Sequence, residues 1–121
     1  MSRQSIFERY GGFARVNRVV TSFYEKILDS PVTSPYFANT NMRTLIDHQT
    51  RFIATVMGGP ASYTNDHLER VHAPRKISEE AFAEACALLK ETLEDLDYAD
   101  DDIQSIVDNV MSRKNFIVSR T

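Results

Sequence analysis

His72 has the widest choice of chemistry in this chain. It closes the short amphipathic stretch Asn65-Asp66-His67-Leu68-Glu69-Arg70-Val71-His72, and Pro74 follows two residues later. Proline lacks an amide N–H and clashes with the turn before it, so a helix bearing His72 must stop there, with the imidazole aimed from its last turn. Neutral imidazole is the commonest protein ligand for a transition metal. A solitary histidine beside apolar residues is more often inert, so a ligand role needs other residues that match it.

Two polar side chains on apolar faces are candidates for that match. Gln49 sits among Leu45, Phe52, Ile53 and Val56 at helical spacing, and Tyr24 follows Val20 by four residues and precedes Ile27 by three. An amide or hydroxyl in such surroundings costs a few kcal/mol, roughly 1–3 by mutational measure, unless it finds a partner. Tyr24 and Gln49 therefore either bond to one another in a plain core or address a ligand between them. Phe37 follows a proline-bracketed turn, where its ring is either a core plug or a flat surface for a planar cofactor. His48, next to Gln49, lies about 100° further round the helix, at the flank of the apolar face. There it is either half-exposed and inert or within reach of the same ligand. His67 and His72 are five apart and point to different helix faces. No Cys-x-x-Cys or His-Glu-x-x-His supplies a zinc arrangement, and Gly58-Gly59-Pro60 lacks the Gly-Lys-Ser of a phosphate loop. No nucleophile, histidine and carboxylate triad is singled out.

The elements that must position these groups are helical. Phe13, Val16, Val20, Phe23 and Ile27 recur at three- and four-residue spacing. So do Phe82, Cys86, Leu89, Leu93 and Leu96, then Ile103, Ile106, Val107, Val110 and Met111. Gly11-Gly12 break a short first helix, Ser30-Pro31 and Ser34-Pro35 bracket an irregular stretch, and Gly58-Gly59-Pro60 stop a helix running from about residue 41 to 57. Ser78 before Glu79-Glu80, and Asp100-Asp101-Asp102 before Ile103, read as capped helix starts. The last two helices are expected to be the longest and best capped. No repeat or linker divides residues 1–121, which read as a single domain.

Composition narrows the function classes. A chain of 121 residues is long enough to bury roughly two-thirds of its unfolded surface and to hold a ligand in its one core. With 14 basic residues scattered among 17 acidic ones and a net charge of −3, it lacks the basic face a nucleic-acid partner requires. Its one cysteine, Cys86, excludes an internal disulfide and reads as a small buried hydrophobe in a reducing compartment. No segment reaches the roughly 18–20 apolar residues of a membrane span, and the opening Met1-Ser2-Arg3-Gln4-Ser5 lacks a signal peptide's apolar region. A cytoplasmic protein with no membrane partner is expected.

Taken together, the residues resemble the truncated haemoglobins, most closely group I of that family. The likeness runs from Ser5-Ile6-Phe7-Glu8-Arg9-Tyr10-Gly11-Gly12 to the last helix. Its strongest parts are Val19-Val20-Thr21-Ser22-Phe23-Tyr24, Tyr36-Phe37-Ala38-Asn39-Thr40-Asn41-Met42, Gln49 with the Gly58-Gly59-Pro60 stop and Tyr63-Thr64, and Val71-His72. The resemblance implies an all-α, globin-like fold, a truncated two-over-two helical sandwich around a noncovalent b-type haem. The absence of Cys-x-x-Cys-His agrees with noncovalent attachment. It implies that His72 is the proximal iron ligand, that Phe37 packs on the porphyrin, and that Met42, Leu45, Ile53, Tyr63, Leu68, Ile77 and Phe82 help to enclose it. Tyr24 and Gln49 then become distal hydrogen-bond donors to dioxygen, which gains negative charge when it binds.

Three features depart from the family pattern. His48 matches a histidine that in some cyanobacterial members is a second iron ligand, and it is otherwise a side chain near the haem edge. Ile53, preceded by Phe52, stands where some members carry a tunnel-gating phenylalanine. The link after His72, Ala73-Pro74-Arg75-Lys76, is stiffer and more basic than usual, so Arg75, Lys76 or Arg70 either meets a haem propionate or remains a solvated charge. The resemblance thus implies reversible binding of dioxygen, nitric oxide and carbon monoxide, with nitric oxide dioxygenation where a reductase re-reduces the iron. The alternative is a bis-histidyl redox, stress-response or gas-sensing module using His48 and His72. A helical bundle without haem would leave Tyr24 and Gln49 as a simple core contact.

Overall fold

The fold is given by a computed structural model, which describes residues 4–59 and 77–114. Every regular element among them is helical. Helix α1 (Ile6–Arg9) is one turn, started by a capping box in which Ser5 accepts from the Glu8 N–H and Glu8 reaches back to Ser5. Gly11 then takes a φ of 111°, a left-handed conformation that a side chain would oppose, and the chain turns into α2 (Gly12–Asp29). Val16, Val19, Val20, Tyr24 and Ile27 form the buried face of α2. Ser30 ends it in extended conformation, a 3₁₀ turn follows at Ser34–Phe37, and Asn41 caps α3 (Met42–Val56) by accepting from the Thr44 N–H at 3.2 Å. Ser78 caps α4 (Glu79–Asp95) through the Ala81 N–H, and α5 (Asp100–Ser112) completes the described chain.

The contacts run from α3 to α2, from α2 to α4, from α4 to α5 and back from α5 to α3. Because α2 and α5 bridge α3 and α4, space is left between those two helices. Helix α1 holds the ring from outside. Its Phe7 N–H donates to the Met57 carbonyl at 3.0 Å, and its ring sits so close to Gly59 that a Cβ there would lie 2.8 Å from Phe7 Cδ1 and 2.9 Å from the Ala54 oxygen. At the other side Arg9 makes a two-pronged ion pair with Asp102 at 3.0 and 2.7 Å, and the Tyr10 hydroxyl donates to the same carboxylate at 2.7 Å. Lys26 joins α2 to α4 by pairing with Glu91 at 3.0 Å and Asp95 at 2.8 Å.

Three expectations are corrected. The last two helices are not the longest, because α2 has 18 residues and α5 only 13. Helix α5 also has no side-chain cap. It starts from Ala99, and the three aspartates occupy its first turn, where Asp102 is drawn to Arg9 and Tyr10 instead of to the helix's own N–H groups. Phe13 and Met111 follow the apolar period yet are 43% and 52% exposed. Phe13 instead lies edge-on to Phe7, with centroids 4.9 Å apart, outside the main core.

Candidate functional site

The space between α3 and α4 is a cavity of about 940 Å³, part of it open to solvent. From α2 it takes Val20, Phe23, Tyr24 and Ile27, and from the turn that follows Thr33, Tyr36 and Phe37. Helix α3 contributes Leu45, Gln49, Phe52 and Ile53. The facing wall consists of Ile77, then Ala81, Phe82, Ala85, Cys86 and Leu89 from α4, with Val110 from α5. Positions 45, 49, 52 and 53 share one face because of the helical repeat, so a single amphipathic helix delivers an amide among three apolar side chains.

Aromatic contacts fix the tyrosine. Tyr24, 7% exposed, meets Phe23 edge-on at 5.0 Å and Phe37 at 5.7 Å with the rings 79° apart. Thr33, also in the wall, sends its hydroxyl back to the Ile27 carbonyl at 2.7 Å, which leaves its methyl for the apolar lining. Phe52 is backed by the Arg113 guanidinium, 5.6 Å from its ring centre.

Seven of the residues singled out in the sequence meet in this wall: Tyr24, Phe37, Leu45, Gln49, Ile53, Ile77 and Phe82. Met42 packs against the core cluster but is not part of the wall. His48 is exposed and also outside it. Tyr63, Leu68 and His72, with His67, Arg70, Arg75 and Lys76, lie outside the described residues. Sequence reasoning missed Phe23, Thr33, Tyr36 and Ala85 as wall residues, and it read Cys86 as plain core. Cys86 is instead half-buried on the cavity, and its burial pushes the thiol pKa up, away from the reactive thiolate. The pattern around Phe23 and Cys86 could have found them, since each falls on the face of its helix that carries other wall residues. Nothing local marks Thr33.

This lining suits a haem. A porphyrin is flat and largely apolar, and the cavity offers an apolar, aromatic-edged space with polar reach confined to a few groups on its α2 and α3 side. The comparisons with known proteins agree. Residues 5–118 match the family described as bacterial-like globin. A group 1 truncated haemoglobin of Mycolicibacterium paratuberculosis is 35% identical over 89 residues, which is 74% of this chain and 65% of that protein, just under two thirds of its length. A second, from Tetrahymena thermophila, is 30% identical over 79% of each chain. Among solved structures, the 2/2 haemoglobin of a Synechococcus species, in its cyanomet state with covalently attached haem, superposes with a TM-score of 0.88 at 26% identity over 97% of this chain and 100% of that one. The Fe(III) truncated haemoglobin of Tetrahymena pyriformis gives 0.87 at 25% identity with the same coverage. The all-helical architecture is therefore the two-over-two globin fold. The chain belongs to the bacterial-like globin family as a group 1 truncated haemoglobin, and its cofactor is haem with its iron.

Proposed function

We propose that this protein binds haem noncovalently and uses it to hold dioxygen reversibly, with nitric oxide and carbon monoxide as further ligands. The observation that carries the reading is the placement of Tyr24 and Gln49 in one largely apolar wall, on neighbouring helices. Haem would supply an iron able to bind a diatomic gas, and His72, outside the described residues, is proposed as the side chain that would hold that iron. The Tyr24 O–H and the Gln49 amide N–H donate to the gas. Beside the apolar side chains of Leu45, Phe52, Ile53 and Phe82, such donors act at a lower dielectric than that of water and stabilise developing negative charge more than water would. Phe37, held against Tyr24, keeps that hydroxyl in place.

His48 is exposed and absent from the wall, which supports a distal side left to the gas. A bis-histidyl redox or sensing role would require His48 to turn from solvent into the cavity. Conversion of nitric oxide and dioxygen to nitrate belongs to the same proposal, with a cytoplasmic reductase returning the iron to its ferrous state. In that reaction the chain's residues position the gas and need supply no acid or base. Tyr24→Phe tests the distal assignment. It deletes one donor and nearly preserves shape, so dioxygen release measured by stopped flow should speed up by about tenfold, the loss expected for a hydrogen bond to a charged acceptor. An unchanged off-rate would remove Tyr24 from the mechanism.

A further inference from the structure

The cavity has two walls from distant parts of the chain, and side-chain bonds join them at its edge. Tyr36 presents its ring to the cavity and sends its hydroxyl out to Ser78, the residue that starts α4. The hydroxyl donates to Ser78 Oγ at 3.2 Å and accepts from the Ser78 N–H at 3.3 Å. Ser78 Oγ in turn accepts from the Ala81 N–H at 3.1 Å, so the same oxygen that receives Tyr36 also caps α4. The residues beside the contact belong to the lining: Phe37 next to Tyr36, and Ile77 next to Ser78, with Ala81 one turn on. A second bond follows the same seam, from Ser30 Oγ to Glu84 Oε2 at 3.0 Å.

We propose that Tyr36 and Ser78 form a clasp that ties the aromatic wall to the start of α4 and thereby sets how long haem stays in the cavity. The inference rests on the haem-binding reading above. A flat ligand held between two walls leaves when the walls part, and parting Phe37 from Ile77 at this edge breaks both Tyr36 bonds. Tyr36 is on this account a positioning residue, acting through the wall and not on the gas. Because its ring remains in Tyr36→Phe, the variant isolates the hydroxyl.

The experiment is transfer of haem from the loaded protein to an excess of haem-free myoglobin, followed optically well below the unfolding temperature. Tyr36→Phe should lose haem about fivefold faster than the wild type, the scale expected for two partly solvated hydrogen bonds. The unfolding equilibrium of the haem-free protein should shift by no more than about the same fivefold factor, because the same two bonds break on unfolding. Ser78→Gly, which retains a good helix start but lacks the shared hydroxyl, should also speed loss. Adding Tyr36→Phe to Ser78→Gly should then have a smaller effect than in the wild type, a non-additivity that general loosening would not produce. Equal loss rates in wild type and Tyr36→Phe, or fully additive effects, would overturn the clasp. Failure of the wild type itself to take up haem would instead overturn the function on which it rests.

Discussion

Tyr24 and Gln49 differ in how firmly they are held, although both face the same cavity. The tyrosine is buried and clamped edge-on between Phe23 and Phe37, whereas the glutamine amide is only partly buried on α3. A donor whose ring cannot rotate away loses little entropy when it engages a ligand, so in the proposed distal role Tyr24 should contribute more than Gln49 to holding dioxygen, which gains negative charge on binding. Cys86 is the only nucleophile of its kind in the chain, and it lies on the opposite wall. Burial raises its thiol pKa, so the thiolate fraction near neutral pH is small. Alkylation of the native protein by iodoacetamide should be much slower than that of free glutathione at the same pH and should reach the free-thiol rate on unfolding. Native reactivity equal to glutathione would mean that the thiol faces water. At this scale the sequence was readable where an oddity was local. A glutamine in an apolar stripe and a tyrosine between Val20 and Ile27 both announce themselves. The exposure of His48 does not, because a flank position on a helix is resolved only by what packs there.

The helices were legible where a backbone signal is chemical. Ser78 caps as its side chain predicts, and Gly58, with φ 86°, ends α3 at the expected stop; the cap at Asn41 is a finding of the structure. Periodicity alone went too far at Phe13 and Met111, because a helical stripe says which side chains align but not where the neighbouring helix stops. Asp102 shows the same limit, since its partner Arg9 is 93 residues away and turns an apparent cap into a tether. The short helix α1 depends on such tethers. Gly59→Ala would push a Cβ to 2.8 Å from Phe7 and 2.9 Å from the Ala54 carbonyl, and a backbone oxygen cannot yield as a flexible side chain would. A loss of about 1–3 kcal/mol in denaturant unfolding is expected, and no loss would show that α1 does not rest on α3. The tether also gives α1 a pH dependence. Hydrogen bonding from Arg9, against the opposing effect of burial and with help from Tyr10, holds the Asp102 carboxyl below the ordinary value of 3.8. A depressed carboxylate stabilises the fold above its unfolded pKa, and that contribution disappears as pH falls through the native one. Wild type should therefore exceed Asp102→Asn in stability near neutral pH and lose the advantage below about pH 4. A gap unchanged down to about pH 2 would contradict the linkage.

For the molecule as a whole, four of the described helices joined in a ring leave an apolar space, and we propose that haem, the family's cofactor, is its occupant. The sequence could anticipate both the helical class and most of the wall, because amphipathic faces must bury against something. It could not show that Tyr36 reaches Ser78, 42 residues on, or that Phe23 and Cys86 face the same cavity from opposite sides, since those facts arise only from the closed ring. Tyr24 and Gln49 are proposed to face a position kept open for gas, with His48 outside the cavity wall. The most direct test is the anaerobic optical spectrum of the dithionite-reduced, haem-loaded protein near neutral pH, recorded beside His48→Leu. A single broad visible band, the same in both proteins, is the predicted result and signifies five-coordinate iron. Sharp split bands in the wild type that collapse to the broad form in His48→Leu would contradict it, placing His48 on the iron and requiring every gas to displace a protein ligand first.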